Sequence, residues 1–374
     1  MIKCRLIQIF TFLSIGLGTL CVNAQTDAKK DTTDLIPKGF LKPLFNYAEK
    51  TVFQYLDKSS SQKSQKAFNF SIIGGPYYTN ETKVGLGLIG SGLFRLRGCE
   101  NDSLPSNISL FTNVTTSGAY AVGIRSNIYF KEMKSSITTS ISFSDTPSRY
   151  WGIGYDAGEN SEYTEYNLQQ VEFTINYSRK IVKDLSAGLI FDARDMRGKY
   201  FKDKSFLKGE KRKTTVMGLG LNLTYDSRDV ITDPYRGVYA LVENIFYPST
   251  LGNAPNINTL NLIFRYYKEV REGTVIAFDF DSNLNFGDVP WDLMALSGGA
   301  NQMRGYYNGR YRDKKLINGQ VELRQHIYKR SGVAVWAGAG NVFSEFDKMK
   351  IKETLPTVGL GYRFRVKERT NLRL

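Results

Sequence analysis

The chain has 374 residues, and its 50 lysines and arginines against 36 acidic residues give a formal charge of +14. After residue 24 no apolar run reaches the roughly 18 residues of a membrane helix, so the mature chain is either soluble or crosses a membrane as strands. Charge of this size usually suggests nucleic acid, but the export signal described next excludes it and leaves anionic lipid or surface glycolipid as the counterpart to the basic loops.

Residues 1–24 have the layout of a secretory signal peptide: Lys3 and Arg5, an apolar run from Leu6 to Val22, and small residues at Val22-Asn23-Ala24 before Gln25. Cys21 raises an acylated alternative, although Leu20 before it is bulky for such a site. Cleavage removes Lys3, Arg5, Cys4 and Cys21. The charge falls by two, to +12, and Cys99 is left with no intramolecular disulfide partner. Residues 25–66 form a second unit, a linker plus helix. In it Phe40, Leu41, Leu44, Phe45, Ala48, Val52, Phe53 and Leu56 recur at helical spacing over Gly39–Lys58, which predicts an amphipathic helix that plugs a lumen, lies on a membrane or meets a partner. Ser59 to Lys66 reads as a flexible link.

From residue 67 to 374 the period is two. Met217, Leu219, Leu221, Leu223 and Tyr225 alternate with Gly218, Gly220, Asn222, Thr224 and Asp226. Fourteen such segments are predicted, at 67–75, 83–96, 107–116, 119–131, 134–144, 166–180, 184–196, 213–227, 237–247, 257–270, 273–286, 316–329, 332–343 and 355–366. A fifteenth begins at Thr370. Most are longer than soluble strands usually are. A soluble sandwich would bury the apolar face, whereas a membrane barrel would turn it to lipid. Three features favour the barrel: a polar face rich in charge and glycine, aromatic pairs near segment ends (Tyr129-Phe130, Phe246-Tyr247, Tyr266-Tyr267, with Tyr328 and Phe343), and short connections alternating with long ones. The fold class is therefore all-β, a transmembrane antiparallel β-barrel.

The longest connection contains Leu293–Ile317, with a Gly-Gly pair, Arg304-Gly305-Tyr306 and several more tyrosines and basic residues. It is too aromatic for a disordered linker. Here motifs resemble a known family. Thr224-Tyr225-Asp226-Ser227-Arg228-Asp229, followed by Pro234 and Arg236-Gly237, is similar to a strand-to-turn signature of the BamA/TamA superfamily of outer-membrane assembly proteins, also called bacterial surface antigen domains. In that signature Asp226, Arg228, Asp229 and Gly237 are the marked residues. Met303-Arg304-Gly305-Tyr306 resembles the family's Arg-Gly-aromatic loop motif. Gly319 to Arg324, Gly338 to Phe343, Gly359 to Phe364 and Asn371 to Leu374 resemble its later strands.

The resemblance implies a sixteen-stranded barrel whose long loop folds inward, with its arginine on acidic groups of the lumen wall. Glu322 lies on the polar parity of its segment with Gln320, Arg324 and His326, so Arg304–Glu322 is the expected contact, with Gly305 and Tyr306 shaping the loop. Arg324 and His326 are expected in the lumen network. Many relatives carry a second acid where this chain has Gly338, so the loop tie is expected to rest on one carboxylate and to be looser. The chain also stops inside a fifteenth segment, which reads as a piece of a longer sequence rather than an open barrel. Residues 25–66 are too short for the POTRA domains that usually precede such barrels, which points to a POTRA-less branch.

The resemblance further implies insertion or translocation of outer-membrane proteins or lipids at a lateral seam. The first strand, Phe68, Phe70, Ile72, Gly74 and Gly75, would be the template to which unfolded outer-membrane client strands add. The alternative is a channel or structural barrel of the same fold. An enzyme is not expected: no nucleophile elbow or zinc-ligand spacing surrounds His326. No cofactor or metal is expected either. The Asp226–Asp229 cluster lacks the glycine-bent oxygen-ligand loop of a calcium site and reads as a turn with its own ion pairs.

Overall fold

A computed structural model describes residues 68–96, 105–252, 254–300, 302–367 and 369–373. The signal sequence, the Gly39–Lys58 helix and Cys99 lie outside them. In chain order the strands are β1 (Phe68–Thr79), β2 (Lys83–Phe94), β3 (Ser106–Thr115), β4 (Tyr120–Tyr129), β5 (Ser135–Tyr150), β6 (Thr164–Val182), β7 (Leu185–Lys199), β8 (Lys213–Asp226) and β9 (Gly237–Tyr247). They continue as β10 (Ile257–Arg271), β11 (Thr274–Gly287), β12 (Ala295–Leu296), β13 (Arg312–Asp313), β14 (Lys315–Tyr328), β15 (Ser331–Phe343), β16 (Leu355–Lys367) and β17 (Thr370–Arg373). One short helix, α1 (Tyr155–Glu159), lies between β5 and β6.

Fifteen of these strands make one sheet in sequence order, with β1 and β17 at its two ends, while β12 and β13 pair only with each other. Every neighbouring pair is antiparallel, as hairpin connections require. The turn after β8 bonds to the turn after β16, with Thr232 Oγ1 donating to the Arg369 carbonyl at 2.6 Å. Four strands, β10, β11, β14 and β15, separate those elements in the sheet. The sheet therefore curls around an interior, as a transmembrane barrel wall does.

Alternation decides which face looks where. On β8, Leu219 and Leu221 are 66% and 64% exposed, whereas Val216, Gly218 and Asn222 between such positions are buried. Exposed aliphatic side chains recur around the sheet, among them Leu88, Leu110, Val122, Leu189, Val335 and Leu360. A belt of this kind is costly in water and belongs in lipid. The inner face is polar and paired. Tyr247 Oη and Thr174 Oγ1 both donate to Asp192, at 2.9 and 2.8 Å, and Arg194 meets the same carboxylate at 2.8 Å. Arg265 meets Asp279 at 3.0 Å.

Two expectations change here. Tyr247, Tyr267 and Phe343 are buried rather than set in an interfacial girdle. Each lies next to an end-of-strand aromatic or turn, and the parity of its strand turns it inward. The long connections are also shorter than the alternation suggested. β5 and β6 stay paired from Ser135↔Arg179 to Tyr150↔Thr164, so 145–150 and 164–165 belong to the hairpin and 151–163 is left as loop. β6 has 19 residues, far more than the roughly 9–11 that cross a bilayer. Its surplus carries the hairpin beyond the lipid.

The interior is filled from the long-loop end by residues 288–314. Trp291 is fully buried against Tyr150, Tyr166 and Phe201, at ring-centroid distances of 5.1, 5.3 and 5.7 Å, and its Nε1 donates to the Lys211 carbonyl at 2.8 Å. A second cluster joins Ala295, Met303 and Tyr311 of the loop to Leu316, Val342 and Leu355 of the wall. Arg310 Nε donates to the Gly158 carbonyl of α1 at 2.8 Å. The backbone N–H of Asn308 donates to Glu81 in the β1–β2 turn at 3.0 Å. One loop thus ties hairpins from both halves of the sheet.

Candidate functional site

The tip of this loop docks on β14. Inward-facing Asn318, Gln320, Glu322 and Arg324 alternate there with the exposed Val321 and Leu323. On the neighbouring strand Glu322 pairs with Trp336 and Gln320 with Gly338. Arg304 Nη2 donates to Glu322 Oε2 at 3.0 Å and to Gln320 Oε1 at 3.2 Å, and its guanidinium lies 3.6 Å from the centre of the Trp336 ring. Opposite, on β16, a Cβ at Gly359 would come within 2.1 Å of Trp336, so only glycine leaves room for the indole. The loop backbone is pinned as well. Thr357 Oγ1 donates to the Arg304 carbonyl, and Tyr306 Oη to the Pro356 carbonyl, both at 2.8 Å. Gly305 has φ +105°, a conformation that strains other residues.

Glu322 serves more than the loop. Its Oε1 accepts from Arg324 Nε at 2.8 Å, and Arg363 Nη1 lies 3.5 Å away. Arg324 reaches on to Asp233 at 3.5 Å, and Asp233 pairs with Arg363 at 2.7 Å. Both carboxylates are over nine-tenths buried, at 6% and 3% exposure. A buried carboxylate is tolerable only with such charge-assisted partners. Above this layer, in the loop itself, burial next to the Thr214 hydroxyl pushes the Asp292 carboxyl up to about 6, and burial also raises that of Asp313.

A family model described as "Omp85 superfamily domain" matches residues 106–367. The chain belongs to the Omp85 superfamily. Three solved structures share its fold. BamA from Haemophilus ducreyi lacking POTRA domains 1–3 has a TM-score of 0.58 at 12% identity, CdiB from Acinetobacter baumannii 0.54 at 12%, and CdiB from Escherichia coli 0.55 at 13%. Each match covers 81% of this chain but only 65%, 54% and 57% of the respective relative, less than two thirds of each. A search of curated proteins returned no match.

This Omp85 chain is an outer-membrane β-barrel. In such barrels the short turns face the periplasm and the longer loops the outside, which makes 288–314 an outer loop and the turn after β8 an inner one. That inner turn holds the strand-to-turn signature. Arg228 forks onto Asp226 at 2.8 and 2.7 Å, and Asp229 Oδ1 accepts from the backbone N–H groups of Val230 at 2.9 Å, Tyr235 at 3.0 Å and Arg236 at 3.3 Å. Gly237 has φ +110°, and a Cβ there would lie 2.4 Å from the Ser227 carbonyl oxygen.

The remaining candidate residues are spread out. His326 is at the inner end of β14, where its N–H donates to the Gly273 carbonyl at 2.7 Å and the ladder shifts register. Phe70 and Ile72 on β1 are 59% and 58% exposed, Gly74 pairs with Leu88 and Gly75 with Gly87, and Phe68 pairs with Phe94.

Sequence reasoning missed Trp336, Trp291 and Asp233. Trp336 had a readable signal: it is the one aromatic on an inward parity otherwise made of Ala334, Gly338 and Gly340. Among the described residues Arg304 meets one carboxylate, Glu322, while Gln320 and the Trp336 indole face also contact its guanidinium.

Proposed function

We propose that this barrel aids the insertion or translocation of outer-membrane proteins or lipids at a lateral seam on the β1 side of its sheet, with the outer loop locked in the lumen by Arg304 on Glu322. The observation that carries this reading is the inward-folded Arg304-Gly305-Tyr306 loop on the β14 wall of an Omp85 fold. On the β1 side, the facing pair Gly75 and Gly87 brings no side chains to the ladder, which supports a weakly packed template strand. Exposed Phe70 and Ile72 suit an edge that meets lipid and an incoming strand.

The activity breaks no covalent bond. A client strand adds through backbone hydrogen bonds, and its own alternation brings its apolar side chains to the lipid face. The clients are unfolded outer-membrane proteins, and the bilayer or a surface glycolipid is the surrounding partner. With residues 288–314 occupying the outer lumen, insertion is favoured over a standing channel. The test is the rate at which an unfolded outer-membrane barrel folds into lipid vesicles containing the purified protein. Acceleration that falls when Arg304 is replaced by alanine is expected. Steady loop-dependent conductance in a planar bilayer, with no acceleration of folding, would replace insertion by a channel.

A further inference from the structure

The inner turn between β8 and β9, residues 227–236, has ten residues, whereas the inner turns after β6, β10 and β14 have two each. Its length is not spent in solvent. Asp229 folds the first part by accepting three backbone N–H groups, and the turn then carries Thr232, Asp233 and Pro234 across the lumen. There Asp233 accepts from Arg363 Nη2 at 2.7 Å and from Asn371 Nδ2 at 2.5 Å. Arg324 Nη1 donates to the Pro234 carbonyl at 3.4 Å.

The β16–β17 turn answers from the other side. Arg369 donates through Nη2 to Asp229 Oδ2 at 2.8 Å and through Nη1 to the Asp233 carbonyl at 3.0 Å. Its guanidinium lies 3.5 Å from the centre of the Tyr235 ring, and its own carbonyl accepts from Thr232 Oγ1 at 2.6 Å. These partners are 130 to 140 residues apart in sequence and four strands apart in the sheet.

The β16–β17 ladder carries a register shift between Arg365 and Lys367, beside its turn, whereas the β9–β10 ladder runs unbroken from Ile257↔Tyr247 to Tyr267↔Gly237. Low-stability elements open locally before the rest.

We propose that the Ser227–Arg236 turn is a latch, in which Asp233 and Asp229 hold the β16–β17 hairpin across the inner mouth of the lumen, so that this hairpin opens only when the turn lets go. This deepens the insertion reading and rests on it for the consequence: the latch sets how often this part of the wall opens to a client strand.

The test is amide hydrogen exchange of the full chain in lipid vesicles, following Arg363–Arg373 against Gly237–Arg271 as an internal reference. Asp233→Asn keeps a similar side-chain shape and removes the charge. Arg369→Ala leaves the buried Asp233–Arg363 pair in place and serves if the first variant does not fold. The latch predicts exchange at least tenfold faster in the β16–β17 hairpin with the reference unchanged. Unchanged exchange in the hairpin overturns it. So does equal acceleration of hairpin and reference in Arg369→Ala, since that is general destabilisation. Client-folding rates are read on the same vesicles. Faster exchange without any client folding by the parent protein removes the insertion reading and leaves the latch standing, while normal client folding with unchanged exchange removes the latch alone.

Discussion

The two ends of the lumen are closed by different physics. At the outer end, residues 288–314 are held mainly by ring packing, with Trp291 among Tyr150, Tyr166 and Phe201, and Met303 and Tyr311 against Leu316 and Val342. At the inner end, residues 227–236 are held by charge, through Asp233 on Arg363 and Arg324 and through Asp229 on Arg369. Packing spreads the outer hold over several rings besides the Arg304–Glu322 pair at the tip, so losing one contact weakens it by degrees. A buried carboxylate concentrates its effect, because removing Asp233 leaves the buried Arg324 and Arg363 to share Glu322 alone. The outer end should therefore loosen gradually and the inner end abruptly. The two meet on β14, where Glu322 receives the loop through Arg304 and bonds Arg324, which turns to Asp233.

The largest effect should come from breaking the packed end. Trp291→Ala removes a fully buried indole and its hydrogen bond to Lys211, a loss of about 3–5 kcal/mol for a core tryptophan. The outer loop should then be cut by trypsin at Arg304, Arg310 or Arg312 from outside the vesicle, while hydrogen exchange in the inner turn stays at its parent rate. Equal loosening of both ends would erase the contrast.

A smaller effect separates the ends by pH. Burial holds the Asp292 carboxyl near 6, above the usual carboxylate range. The docked loop keeps a proton there that the released loop has lost, so docking weakens as pH rises from about 4 to 6 and is flat above. Urea unfolding in vesicles should show a more stable loop at pH 5 than at pH 7, and Asp292→Asn should remove most of that difference. Asp313 shifts in the same direction, so some slope remains. An Asp292→Asn protein with the parent's full pH slope would locate the proton elsewhere.

Much of this was legible in the sequence because a barrel wall is written in period two. The parity of Met217 to Tyr225 fixed which face of β8 is apolar, and that of Gln320 to Arg324 marked Glu322 as inward. The Arg304 tip was legible through family resemblance. What was not legible depends on neighbours several strands away. Asp233 sits before a proline in a turn and looks like ordinary turn chemistry, and only the curl of the sheet brings Arg363 and Asn371 to it. Trp336 becomes a platform only once the register sets it beside Glu322 and opposite Gly359. Tyr247 and Tyr267 followed an adjacent aromatic at a strand end, and a girdle and an inward ring differ there by a single residue of parity.

The claim that β14 joins the two ends is tested most directly by a double-mutant cycle between Arg304→Ala and Asp233→Asn, read as urea unfolding free energies in lipid vesicles. Glu322 keeps Arg324 when Arg304 is lost, so the first change alone should cost about 1.5–3 kcal/mol, the range for a hydrogen bond to a charged group. Coupling through Glu322 and Arg324 predicts that the double variant departs from the sum of the singles by about 0.5–3 kcal/mol. A double variant that equals that sum would mean that the outer loop and the inner turn are held independently.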